Sequence, residues 1–180
     1  MRKPFRLAMI GHAERALAAP WPTLRRVPKV PADRLPVPGE VQFHELRPDG
    51  LHALVAWVPD AQRDAFTVEV GWSIDGDFSV ASMRPSLHAD NLVPTAPHGF
   101  VRLTALTGAR HDRWWDAMPF DAQDPASVRR LMRFMATAPT AAQAEAAMAP
   151  LVDDAVALLL REAPVFFDRT AAALRQPAAS

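Results

Sequence analysis

The stretch VQFHELRPDGLHALVAWV, residues 41–58, decides the fold. Two apolar-rich runs, Val41 to Arg47 and Leu51 to Val58, flank Pro48-Asp49-Gly50, and an Asp-Gly pair supplies the positive φ that tight hairpin turns demand. The segment reads as an antiparallel β-hairpin. Downstream, residues 66–73 alternate strictly, with Phe66, Val68, Val70 and Trp72 on one face and Thr67, Glu69 and Gly71 on the other, so a third strand with one core face is expected. Asp75-Gly76 marks another turn, and Phe78 to Met83 reads as a fourth strand. Residues 84–98, rich in proline, histidine and asparagine, form a loop longer than ordinary connections. Alternation resumes from Phe100 to Leu106, directing Val101, Leu103 and Ala105 inward and Arg102 and Thr104 outward.

The flanks have a different period. Residues 5–18 fit a short amphipathic helix with Leu7, Ile10, Glu14 and Leu17 near one face. Six prolines between Pro20 and Pro38 each remove a backbone donor and fix φ, which predicts an extended, surface-running arm pinned by Trp21. Beyond the tryptophan pair at 114 and 115 the apolar period changes to about 3.6. Asp124-Pro125 is an N-cap followed by proline at the first helical position, and Val128, Leu131, Met132 and Met135 trace a stripe expected to face the core, with Arg129, Arg130 and Arg133 on other faces. Thr140 and Gln143 fit a capping box that opens a second helix. Pro150 restarts the register for Val152, Ala155, Val156 and Leu159, Pro164 interrupts it, and a last short helix passes through Phe166, Phe167 and Leu174.

Strands followed by helices, rather than alternating with them, indicate an α+β fold. The expected architecture is an antiparallel sheet of four to five strands with helices packed on one face, preceded by an N-terminal helix and a proline-rich arm. One domain spans 1–180: helix to 19, arm 20–38, sheet 39–106, helical part 107–180.

Composition narrows the function classes. The chain has 180 residues, 49% of them apolar, enough for one substantial core. A formal net charge of zero argues against general electrostatic binding to nucleic acid or anionic membrane, and neither is expected as a partner. The balance hides an asymmetry: residues 1–34 hold eight Arg or Lys against Glu14 and Asp33, leaving six positive charges there and six negative in the remainder. That basic segment is suited to an acidic body or an acidic partner, or is simply a solvated face. The absence of cysteine excludes disulfides, thiol nucleophiles and thiolate-bound metals. His12, Glu14 and Arg15 break what would be the apolar core of a secretion signal, and the run Ala155 to Leu160 is far short of the ~20 residues of a membrane span, so a cytoplasmic location is expected. The excess of arginine over lysine and the abundance of alanine read as coding bias.

The segments FTVEVGWS (Phe66 to Ser73), FVRLTAL with Arg102, DRWWD (Asp112 to Asp116) and the helical C-terminal tail resemble the bacterial family known as domain of unknown function 4304. The resemblance runs from about residue 40 onward; the proline-rich arm departs from it. It implies the α+β class and carries no established activity and no catalytic residues.

Candidate chemistry falls in four places. If the hairpin turns on two residues, either Pro48-Asp49 or Asp49-Gly50, strand parity puts His52 on the same face as Glu45 and Arg47, with His44 on the other. His52 and Glu45 then make either a proton-transferring pair or a cross-strand charge pair. His88, Asp90, His98 and His111 offer imidazole and carboxylate ligands for zinc or iron, although no fixed spacing ties them together and no cofactor is expected. Gly71 to Gly76 misses the nucleophile elbow because Asp75 stands where a small residue is required. Finally, Trp114, Trp115, Arg110 and Arg113 form a candidate binding surface, joined by Arg47 from the hairpin. On a helical turn one tryptophan, Trp115 beside Met118, enters the core while Trp114 covers a groove or a partner contact. The functional expectation is a non-enzymatic module that binds a protein partner or forms a homodimer. The alternative is a small-molecule-binding or metal-assisted enzyme with its pocket on the open sheet face.

Overall fold

The computed structural model of the chain describes residues 1–29, 37–78 and 96–175. Its elements are α1 (Lys3–Ala18), β1 (Arg25–Arg26), β2 (Val41–Leu46), β3 (His52–Pro59), β4 (Ala65–Ser73), β5 (His98–Arg102), a 3₁₀ turn (Leu103–Thr107), β6 (Trp115–Asp116), α2 (Pro125–Ala136) and α3 (Ala141–Arg175). Strands β1 to β5 form an antiparallel sheet in chain order, and β6 adds to the start of β4 through Phe66 opposite Trp115. The fold is α+β, as the pattern of strands followed by helices predicts. Of the expected fourth strand only Phe78 is described, without strand pairing; residues 79–83 and most of the long loop, with His88 and Asp90, lie outside the described residues.

The central hairpin differs from expectation by one residue. Gly50 N–H donates to Arg47 O and Arg47 N–H to Leu51 O, each at 3.0 Å, with Gly50 at φ +85°, so the loop holds three residues, Pro48, Asp49 and Gly50. A three-residue loop of this kind pairs Glu45 with Ala53 and Leu46 with His52. One residue of register inverts every side chain. His52 therefore shares a face with His44 and Leu46, and Glu45 lies on the opposite face, which corrects the parity drawn from a two-residue turn.

The face carrying Val41, Phe43, Val55, Trp57, Phe66, Val68, Val70, Trp72 and Val101 is the core, and α1 and α3 cover it. In α1 the buried line is Phe5, Ala8, Met9, Ala13 and Leu17, with Ile10 partly buried against the core, whereas Leu7 is 55% exposed. The arm is not wholly irregular. Its Arg25-Arg26 backbone adds β1 to the edge of β2, opposite His44 and Phe43, and Trp21 and Leu24 are buried. Strand β5 ends at Arg102 instead of Leu106, because the chain coils into the 3₁₀ turn, which buries Thr104 together with Leu103 and Ala105.

Three expected helical segments merge into the single helix α3, 35 residues long, with Pro150 and Pro164 inside it. Each proline removes one helical hydrogen bond, at about 3 kcal/mol. Against this stands an unbroken buried line, Ala144, Met148, Val152, Ala155, Leu159, Ala163, Phe167 and Ala171, at spacings of three and four residues. Burying each large apolar side chain is worth about 1.5–3 kcal/mol, so the stripe outweighs the prolines. The capping box forms as expected: Gln143 N–H donates to Thr140 Oγ1 at 3.2 Å and Thr140 N–H to Gln143 Oε1 at 2.9 Å. Helix α2 is capped by Asp124, which accepts from Ala126 and Ser127, but its stripe does not face the core. Only Ser127 is buried in α2, and Met132 is 65% exposed.

Where β4 meets β5, the Trp72 ring lies flat on Gly99, and a Cβ there would meet the ring at 2.2 Å. Gly99→Ala is expected to lower stability by about 1–3 kcal/mol through this overpacking. Chemical denaturation checks it; an unchanged midpoint would show that the ring has room to move.

Candidate functional site

Arg2, immediately before α1, organises a concavity beside the C-terminal end of α2. Its backbone N–H donates to Asp64 Oδ1 and its Nε–H to Asp64 Oδ2, both at 2.7 Å. Its Nη1 donates to the carbonyls of Phe134, at 3.0 Å, and Thr137. The guanidinium also lies 5.0 Å from the Phe5 ring centre and 4.7 Å from that of Phe134. The last carbonyls of a helix lack internal donors and carry its negative dipole end, so one cation here both satisfies and neutralises the C-terminus of α2. Arg2 thus joins α1, the β3–β4 turn and α2. Asp64 is fully buried beneath it.

Between α1, α2 and the first turns of α3 opens a cavity of about 430 Å³. Phe5, Met118, Phe134 and Ala147 make its apolar walls, and Arg2, Arg130 and Arg133 its cationic rim; no carboxylate lines it. This size and mix of apolar wall and few polar groups is that of a binding cleft. Arg2 is occupied by Asp64. Arg130 is 63% exposed and only 3.7 Å from Asp124, and the exposed Arg133 has no carboxylate partner among the described residues.

A second charged group lies on the sheet face away from the core. Arg102 Nη1 stands 2.6 Å from Glu69 Oε1 without hydrogen-bond alignment, and its Nε is 3.4 Å from Asp112 Oδ2. The half-buried Trp114 ring lies 5.8 Å from the Arg102 guanidinium. Two carboxylates thus share one cation. The Glu69 carboxyl is pushed up from 4.5 to about 7, because burial outweighs the attraction of Arg102, and Glu40 and Asp112 add negative charge nearby.

The residues singled out in the sequence do not converge. His52 stacks on His44 with ring planes 9° apart and a 3.0 Å contact between Nδ1 of His52 and Nε2 of His44. Glu45, across the sheet, is buried and accepts from Trp21 Nε1 at 2.9 Å and from Thr23 Oγ1. The His52–Glu45 pair is therefore replaced by a His52–His44 pair. Arg47 is held by Asp49 and Asp168 beside the Phe167 ring. Ser73 is buried and its hydroxyl donates to Asp75 at 2.7 Å. His98 pairs with Ser73 in the ladder, while His111 and Arg110 are exposed. Among the described residues no group of three or more His, Asp or Glu side chains is placed to hold a metal ion.

Trp115 is buried, stacks on Phe66 at 5.5 Å and donates to Asp154 at 2.6 Å, with Arg113 over it and also paired to Asp154. Trp114 is half-buried. The two rings separate where the chain enters β6 at Trp115, and the segment is not the helical turn expected. Sequence reasoning missed Arg2, Phe5, Phe134 and the pairing of Glu69 with Arg102. The spacing of Arg130, Arg133 and Phe134, three and four residues apart on one helix face, was the local signal for the groove.

Comparison of the chain with protein-family models, with curated proteins and with solved structures finds no match. Among the described residues no helix is long and apolar enough to cross a membrane.

Two outcomes follow from these charges. Arg2→Ala leaves Asp64 buried without its cation and is expected to cost about 3 kcal/mol in urea unfolding, since breaking a buried pair from one side exposes the desolvation penalty; a loss near zero would show that Asp64 finds another donor. For Glu69, the folded state holds a proton that the unfolded chain releases near 4.5. Its stabilising contribution is full below pH 4.5 and is lost as pH rises through about 7. Stability measured across that window falls in the wild type and flattens in Glu69→Gln; identical profiles would remove Glu69 as the source.

Proposed function

We propose that the protein is a non-enzymatic interaction module, and that the groove between α1, α2 and α3 is its docking surface for a protein segment. The observation that carries this reading is α2 itself. Its 12 residues bury only Ser127, and Phe134 alone of its apolar side chains packs against the main core. A helix in a stable domain is ordinarily held by burying an apolar face, so one held by its cap and by Arg2 acts as the wall of a cleft rather than as core. Apolar walls with arginines at the edge match the composition of interface centres, where aromatic residues, Met and Arg are enriched.

Site-specific photocrosslinking tests the proposal in cells. A benzophenone amino acid at Met118 lies in the groove; the control at Arg161 is 66% exposed on α3, about 20 Å along the helix from Ala147. The expected result is a protein adduct from position 118, none from 161, and loss of the 118 adduct when Ala147→Trp fills the groove. An adduct of twice the chain mass identifies a second copy as the partner, and any other mass a distinct protein. Equal adducts from both positions, or none from 118, overturn the proposal.

A further inference from the structure

We infer that the groove's occupant is an acidic amphipathic helix of a partner protein, which seats apolar anchors on Phe5, Phe134 and Ala147 and lays a row of carboxylates along Arg130 and Arg133. This rests on the groove being a docking surface and adds the chemistry of what docks. Charge complementarity carries it. Three arginines and no carboxylate line the cleft, and they are not equivalent. Arg2 is neutralised by Asp64 at 2.6 Å and is turned toward the α2 carbonyls, so it closes one end without offering free charge. Arg130 and Arg133 are the more available cations: Arg130 is 63% exposed with one long ion pair, 3.7 Å to Asp124, and Arg133 is exposed without a carboxylate partner among the described residues.

Their placement suits an occupant that carries more than one carboxylate. Arg130 and Arg133 stand three residues apart on one wall, separated by about 5 Å along the α2 axis. Acidic residues at helical spacing meet both. Phe5, Phe134 and Ala147 line the same cleft as the two arginines, so an occupant with anchors on one side and acids on the next fits as a helix laid in a groove. A second copy docked α2 against α2 is a poorer match, because it would bring Arg129, Arg130 and Arg133 against the same arginines.

The test uses the full chain and two labelled helical peptides, each with leucine at i, i+3, i+4 and i+7, one with glutamate at the remaining positions and its twin with lysine. By fluorescence anisotropy the glutamate peptide is expected to bind at least about tenfold more tightly than the twin, with affinity falling as salt rises. The double variant Arg130→Glu/Arg133→Glu, at exposed positions and checked for folding by circular dichroism, is expected to invert the preference. Equal binding of both peptides, unaffected by the charge reversal, overturns the inference while the docking surface stands. No peptide binding alongside a positive crosslink at Met118 overturns it in the same way, and no binding with no crosslink removes both. Binding of dodecanoate by a chain that ignores the glutamate peptide overturns it in favour of a small amphiphile.

Discussion

The contact on which the rest of the arrangement depends is the pairing of Arg2 with Asp64. A carboxylate fully removed from solvent is tolerated only if its oxygens are bonded and its charge is answered, and Asp64 receives both from one residue. Arg2 then directs its Nη1 to the carbonyls at the end of α2. One side chain therefore sets the distance between α1 and α2, and that distance is the groove. Had α2 instead buried its apolar stripe against the sheet, the core would be larger and the cleft closed. The fold leaves this helix with little burial and an open concavity beside it.

The two faces of the sheet divide the remaining tasks. The face under α1 and α3 is nearly all apolar, and its one buried acid, Glu45, is satisfied by the indole and hydroxyl of the arm, which ties residues 21–26 to the sheet edge. The opposite face mixes Leu54, Phe78 and Phe100 with Glu69, Arg102 and the stacked histidines. Burial of the Glu69 carboxyl, which the attraction of Arg102 does not offset, makes it hold its proton to near neutrality, with Glu40 and Asp112 adding negative charge nearby. The physical consequence is a pH-dependent contribution to stability located away from the groove.

Much of the fold was legible in the sequence wherever a signal is periodic and local. Strand β4 could be read from Phe66 to Trp72 because only one face meets the helices, and the capping box of α3 because both partners sit three residues apart. The hairpin was placed correctly, yet its parity was not: Pro48-Asp49-Gly50 closes on two or three residues with the same composition, and the choice inverts His52 relative to Glu45. The prolines of α3 were read as breaks because local propensity is weighed at each residue, whereas the stripe that overrides them is summed over the whole helix. The anchor of the groove left no trace of this kind. Arg2 finds Asp64 and Phe134 across separations of 62 and 132 residues, and no spacing rule spans such distances.

That difference bears on how the groove relates to the core. Every element read from periodicity is fixed by burial, which many side chains share, so single changes there are partly absorbed by their neighbours. Helix α2 is fixed by a few polar contacts at its two ends, Asp124 at the start and Arg2 at the finish, with Phe134 between. Such contacts are directional and not shared, so loss of one frees the helix as a unit while the sheet and α3 persist. An occupant that adds apolar contact along the Phe134 side supplies the burial that α2 lacks in the free protein, and so orders the wall it binds to. Binding and the stability of α2 are then linked by mass action, each strengthening the other.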